Sequence, residues 1–299
     1  MEEKKLLIAL KKAQEVAEGA FWRRLLFRPS SYLQFQWHKR LIYPSSKQGQ
    51  IKSTALFFGA NMLIDLPAGS DLFLLGAKTH PSELRLAHFL IKQLKPGMHF
   101  VDVGAHFGYF TLLASHLIGP SGLVLSLEAS PTVFSILQKN TNQKDQIIAI
   151  PKAAGASNGE ITFFEYPLQF SEYNTTEASI YEGEAWHQDV QATQHQIEVC
   201  TLASILKKHQ CTPNLIKIDV EGAEVKVFQG LQLENIDNKP IIIFEYIKSK
   251  PQKDLSAYLK EIEAIYSLNR ITPEGQLERT SLQEDTTFLD SENLVLLPL

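Results

Sequence analysis

The chain has 299 residues, a formal net charge of −4 and 44% hydrophobic residues, which suits one large globular domain plus an extension. The slight acidity leaves no excess of Lys and Arg to track phosphates, so a nucleic-acid partner is not expected. Two cysteines, Cys200 and Cys211, outside any CxxC or Cys/His cluster argue against a disulfide framework or a zinc motif and fit a reduced, cytoplasmic setting.

The first thirty residues are charged throughout and lack the uninterrupted apolar core of a secretory leader. No run approaches the roughly 18–20 apolar residues of a transmembrane segment. Leu6 to Leu26, flanked by Arg23, Arg24 and Arg28, reads as an amphipathic helix. It is expected to pack on its own domain or on a second subunit of a homo-oligomer, with docking on a membrane surface as the minor alternative. Residues 1–50 thus form a helical extension. Residues 51–97 lead into the main domain: "TALFFGANMLIDLPAGSDLFLL" reads as short strands between turns, and "HPSELRLAHFLIKQLKPG" as a helix opening near Pro81 and closed by Pro96-Gly97.

From Met98 apolar strands alternate with amphipathic helices. "HFVDVG" precedes a helix around "YFTLLASHLIG"; "GLVLSLEA" precedes "SPTVFSILQKN", with Ser130 as N-cap and Pro131 at the first helical position. "QIIAIPKAA" reads as a third strand, "LIKIDVEG" as a fourth and "KPIIIFEYI" as a fifth. Val/Ile/Leu runs of this kind predict an α/β Rossmann-like fold, a mostly parallel sheet with helices on both faces. Residues 159–199 break the rhythm, with "GEITFFEY" and "HQIEVC" as antiparallel strands around a long polar loop. "NLVLLPL" is expected to end the chain (residues 98–299) as an edge strand paired with "AIYSLNRI".

Chemistry collects at the strand ends, where ligands of such sheets bind. In order they carry Asp102 with Gly104 and Gly108, then Glu128, then Asp219 and Glu221, then Glu245. A single carboxylate there could cap the next helix; four such strands favour a cleft. Glu128, twenty residues beyond Gly108, suits the hydroxyls of a ribose and would repel a phosphate on it. A dinucleotide loop needs G-x-G-x-x-G, whereas this chain has D-x-G-x-x-x-G, with a carboxylate unfavourable to a pyrophosphate. A cofactor with an ammonium and a sulfonium, S-adenosylmethionine, tolerates these acids better.

"FVDVGAHFGYFTLLAS", "LEASP", "LIKIDVEGAEVKVFQG" and "IIIFEY", in that order, closely resemble the FkbM family of class I S-adenosylmethionine-dependent methyltransferases. The resemblance runs from about Ile64 to Leu299 and leaves the first fifty or so residues outside. It implies a seven-stranded sheet, and it implies that Asp102, Gly104 and Gly108 shape the methionine end of the cofactor pocket. The backbone of Ala105, His106 and Phe107 would pass close to the cofactor. Glu128 would hold the ribose, with Ala129 and Ser130 beside the adenine and Ala153 closing over it. Glu83 is similar to a family glutamate expected near the cofactor amine, its bland alternative being a solvated helix first turn. His106 stands where the family has Asn; neutral imidazole offers the same one donor and one acceptor.

Methyl transfer to oxygen is an in-line displacement that needs positioning and deprotonation of the acceptor. Asp219, Glu221 and Glu245 are the candidate catalytic carboxylates, as a free base or as oxygen ligands of Mg²⁺. Glu224 is expected only to complement a helix N-terminus. The insert from Tyr166 to Gln196 is expected to cover the cleft and choose the acceptor; His187 is a secondary candidate there, and Ser179 resembles a family serine. The expected acceptor is a hydroxyl of a saccharide or of a small polyketide-like metabolite. A nicotinamide-dependent oxidoreductase and a non-catalytic binding module are the alternatives. Neither an N-P-P-Y motif nor a Pro-Cys pair points to base methylation.

Overall fold

The computed structural model of the chain describes residues 2–43, 49–177, 181, 185–188, 190–249 and 254–299. Glu2–Glu18 is helical and buries Leu6, Leu10 and Ala13, spaced to share one face, in the same apolar core as the helix Pro81–Gln93. The single helix expected over Leu6–Leu26 is broken at Gly19-Ala20, and separate helices come next at Phe21–Phe27 and Pro29–Trp37. Glycine ends a helix cheaply, and here Arg23 folds back so that a Cβ on Gly19 would meet its Cδ at 2.6 Å. Arg28, between the second and third helices, donates to Thr54 Oγ1 and to the carbonyls of Ala55 and Phe73, which fastens the extension to the lead-in segment of the main domain.

Strands β1 (Gln50–Ala55) and β2 (Asn61–Leu66) form an antiparallel hairpin. The next apolar run, expected as strand, is instead a helix, Ser70–Leu75. Leu72 to Leu75 are all buried, so the run lacks the one-sided periodicity by which a helix is recognised. Asp71 fixes it, accepting from Leu72 N at 2.7 Å and from Thr79 N at 3.0 Å.

The main sheet is built from β3 (His99–Val103), β4 (Leu123–Leu127) and β5 (Ile147–Ile150). After β6 (Ala153–Ala154), β7 (Gly159–Glu165) and β8 (Thr193–Cys200), it resumes with β9 (Leu215–Ile218) and β10 (Ile241–Ile247). It ends with β11 (Tyr266–Ile271), β12 (Leu277–Arg279) and β13 (Ser291–Pro298). The order is β12-β11-β13-β10-β9-β3-β4-β5, eight strands in place of the expected seven. The five strands from β10 to β5 pair in parallel, whereas β13 pairs antiparallel with β10 and β11, and β12 antiparallel with β11, so the sheet is mixed. The terminal strand β13 is interior, hydrogen-bonded to β10 as well as to β11, and the short β12 takes the edge.

The alternating strand residues feed two cores. Phe100 and Val124 face the helices Pro81–Gln93, Tyr109–Ile118 and Pro131–Thr141; Val101 and Leu125 face Leu202–Lys208, Glu224–Leu231 and Leu255–Glu261. Helices therefore cover both faces, as the sequence predicts. The third predicted strand divides at Pro151, which has no N–H for a ladder, and its second half becomes β6. This strand pairs with β8, which pairs antiparallel with β7 as expected, giving a separate three-stranded sheet beside the cleft. Among the described residues no helix is long and apolar enough to cross a membrane.

Candidate active site

The chain turns sharply after β3. Gly104 has φ 76°, and a Cβ there would lie 1.7 Å from the carbonyl oxygen of Asp219, so the loops after β3 and β9 touch backbone to backbone. His106 also takes a left-handed conformation, φ 51°. Its N–H donates to Glu128 Oε2 at 2.8 Å, while Ser130 N donates to Glu128 Oε1 at 2.9 Å. Glu128 thereby ties the glycine loop to the end of β4. Burial pushes its carboxyl up to about 7 against the two N–H donors. Gly108, φ 94°, opens the helix Tyr109–Ile118, with Leu137 packed where a side chain would stand.

Parallel pairing sets Lys217 beside Asp102 in adjacent strands. The Lys217 ammonium is 3.3 Å from Asp102 Oδ1 and 3.1 Å from Asp219 Oδ2, and it lies over the Phe110 ring. Asp102 Oδ2 also accepts from Thr111 Oγ1 at 2.7 Å. This Asp102–Lys217–Asp219 bridge, buried at Asp102 and Lys217 and open to the cavity at Asp219, runs beneath the glycine loop. Burial works against each charge, but the bridge outweighs it: Lys217 is raised, and Asp219, with Lys78 also acting on it, is lowered.

Three carboxylates converge beyond the bridge. Single oxygens of Asp219, Glu221 and Glu245 all lie within 4.8 Å of one another. Glu221, at φ 52°, accepts from the Tyr181 hydroxyl at Oε2; burial first, then the neighbouring Asp219, push it up to about 8. Glu245 is raised by burial and by both neighbours; Ser291 Oγ donates to its Oε1 at 2.6 Å, and its Oε2 is buried without a hydrogen-bond partner. Glu224, the first residue of the helix Glu224–Leu231, turns back on the preceding loop, its Oε1 accepting from Val220 N at 3.1 Å and Gly222 N at 3.4 Å.

A cavity of about 480 Å³ opens between the glycine loop and this cluster. Of the predicted residues, Glu83, Gly104, His106, Glu128, Ala129, Ala153, Asp219, Glu221 and Glu245 line it. Ala105 and Phe107 back an adjoining recess of about 230 Å³ instead. Asp102, Gly108 and Ser130 line neither: they are buried supports, Ser130 capping its helix by accepting from Val133 N at 3.0 Å. Glu83 is paired with Lys78, so it is not a solvated helix residue. Seven carboxylates line the cavity against two lysines, Lys78 and Lys152. That acidic wall suits a ligand bearing cationic groups and disfavours a pyrophosphate.

The insert supplies residues that sequence reasoning missed. Ser171, Glu172, Tyr173, Asn174, Thr176 and Tyr181 all line the cavity. Ser171 Oγ pairs with His106 Nε2 at 2.8 Å, and burial drives the imidazole down to about 3, so His106 is neutral. Trp186 stacks between Phe170 and Tyr173, centroids 5.4 and 4.5 Å away, which clamps the two halves of the insert. His187 bonds to Tyr166 Oη at 2.9 Å and does not line the cavity. Ser179 lies outside the described residues. Lys217 had one sequence signal, a charge inside the apolar run "LIKI"; Tyr181 had none.

Residues 102–270 match the Methyltransferase FkbM domain family. The chain belongs to this family. The matched segment contains the glycine loop, the bridge, the carboxylate cluster and the insert. A curated relative, Methyltransferase 1 of Beauveria bassiana, is 28% identical over 162 residues, or 50% of this chain. The alignment spans only 65% of that protein's length. Among solved structures, Methyltransferase FkbM from Methylobacillus flagellatus is similar at 16% identity and a TM-score of 0.41, over 77% of this chain and 53% of that one. Fibrillarin of Aeropyrum pernix, solved with bound S-adenosyl-L-methionine, is 14% identical with a TM-score of 0.37, over 72% of this chain and 74% of its own.

Proposed function

We propose that this FkbM-family chain is an S-adenosylmethionine-dependent O-methyltransferase that acts on a hydroxyl of a sugar or of a polyketide-like metabolite. The observation that carries the reading is the Asp219–Glu221–Glu245 cluster, facing the glycine loop across one cavity. S-adenosylmethionine bound there supplies a methyl group made electrophilic by its sulfonium. Glu128 accepts from the ribose hydroxyls: a carboxylate has about four acceptor sites, and the N–H groups of His106 and Ser130 occupy one on each oxygen. Asp219, kept anionic by Lys217, offers a fixed negative charge to the cationic end of the cofactor.

Glu221 takes the proton of the acceptor hydroxyl at Oε1, because Tyr181 already occupies Oε2. Its raised value, about 8, brings its basicity close to neutral pH, where a general base is most effective. Glu245 and the insert residues Tyr173 and Tyr181 enclose the acceptor and exclude water. The same three carboxylates have the hard oxygen donors that suit Mg²⁺, which would supply positive charge to the developing alkoxide.

Calorimetry with S-adenosylmethionine, S-adenosylhomocysteine and NAD tests the assignment. Binding of the first two and not of NAD is expected; NAD binding alone would make the chain a nicotinamide enzyme, and binding of none would leave the methyl-transfer reading without support. Full activity after chelation would remove Mg²⁺ from the scheme.

A further inference from the structure

The extension carries a surface that methyl transfer does not use. From Gly19 to Tyr43 there is no Asp or Glu, while Arg23, Arg24, Arg28, Lys39 and Arg40 give five positive charges. The rest of the chain has 24 basic residues against 33 acidic ones. In the same segment Phe21 is 67% exposed, Trp22 50%, Leu26 71%, Leu33 63% and Trp37 63%. Most of the large apolar side chains that the described residues leave exposed lie in residues 8–42. On the inner side of this segment Phe35 and His38 are buried, and Arg28 is hydrogen-bonded to β1 and to the helix Ser70–Leu75.

We propose that the helices Phe21–Phe27 and Pro29–Trp37 dock the enzyme on an anionic lipid surface. Tryptophan and phenylalanine beside arginine and lysine suit the boundary between head groups and acyl chains, where an aromatic ring stays apolar on one side and the cations meet lipid phosphates. Charge selects this occupant over a second copy of the chain. A two-fold contact through the segment would oppose its exposed cations, Arg23, Lys39 and Arg40, with the same three, whereas an anionic bilayer neutralises them. This interaction does not depend on the methyl-transfer reading.

Co-sedimentation of the full chain with phosphatidylcholine vesicles, with and without phosphatidylserine, tests it. Binding is expected only with phosphatidylserine and should be lost in salt of about 1 M, where the Debye length falls to about 3 Å. Neutralising Arg23, Lys39 and Arg40 together as Gln should lower partitioning about a hundredfold, each cation near an anionic surface being worth about fivefold. Trp22→Ser and Trp37→Ser, on separate helices, should each weaken binding in proteins whose far-ultraviolet circular dichroism is unchanged. Equal binding to both vesicle types, or none, overturns the proposal. So does a dimer in sedimentation equilibrium that Trp22→Ser and Trp37→Ser both convert to monomer, which would assign the surface to a second copy.

Discussion

Lys217→Met is the most revealing perturbation of the site. The side chain is 3% exposed, and its ammonium lies 3.3 Å from Asp102 and 3.1 Å from Asp219, so solvent and salt screen the bridge little. With an effective dielectric of about 20, a pair of unit charges near 3 Å apart interacts by about 5 kcal/mol. Desolvation of Lys217 and Asp102 offsets much of that in the intact protein, but removing only the cation leaves the buried Asp102 uncompensated beside the partly exposed Asp219, at about 3–5 kcal/mol. The melting temperature should fall by roughly 10 °C, at about 2–4 °C per kcal/mol for a large domain. Thermal unfolding of Lys217→Met, Asp102→Asn and the double variant forms a cycle. The double variant should recover about 1–3 kcal/mol relative to the sum of the singles. A melting temperature within 2 °C of the wild type's for Lys217→Met (about 1 kcal/mol), or strictly additive costs, would refute the bridge as a structural keystone.

Three further outcomes are expected from the same geometry. Glu128→Ala should weaken S-adenosylhomocysteine binding by about 1–3 kcal/mol in calorimetry, and it should also lower the melting temperature, because the His106 and Ser130 N–H groups lose their acceptor; unchanged affinity would remove Glu128 from the cofactor site. His106 is neutral at every pH from 5 to 8, its value being about 3, so His106→Asn should leave the shape of the pH–activity profile unaltered; disappearance of a transition between pH 6 and 7 would show that the imidazole titrates in the reaction. Glu221 must lose its proton to act as a base, and its free-enzyme value is about 8, so kcat/KM should climb as pH rises through that value. Glu221→Gln should abolish that rise along with most of the activity, and an identical profile in the variant would exclude Glu221 as the base.

Much of this site could be read from residue order, because parallel strands deliver their C-terminal residues to one edge. Glu128, Asp219, Glu221 and Glu245 each end an apolar run, and the sheet brings Glu128 to the glycine loop and the other three together. Asp102 ends such a run too, yet it faces Lys217 inside the sheet and is shielded from the cavity. The difference lies in register, which periodicity does not encode between strands more than a hundred residues apart. Ser70–Leu75 escaped recognition because burial on every side erases the helical stripe, and β13 passed for an edge because a hydrophobic terminal run does not disclose that it has two neighbours. Ser171 and Tyr181 sit in short 3₁₀ turns of the insert, too brief for a hydrophobic repeat to announce where their side chains point.

The missing Cβ at Gly104 has a consequence for timing. Since the carbonyl of Asp219 fills the space a side chain would need, the loop that shapes one end of the cavity cannot shift without moving the segment that carries Asp219 and Glu221. For the proposed in-line transfer, this backbone contact would keep the two ends of the cavity in register without a separate assembly step.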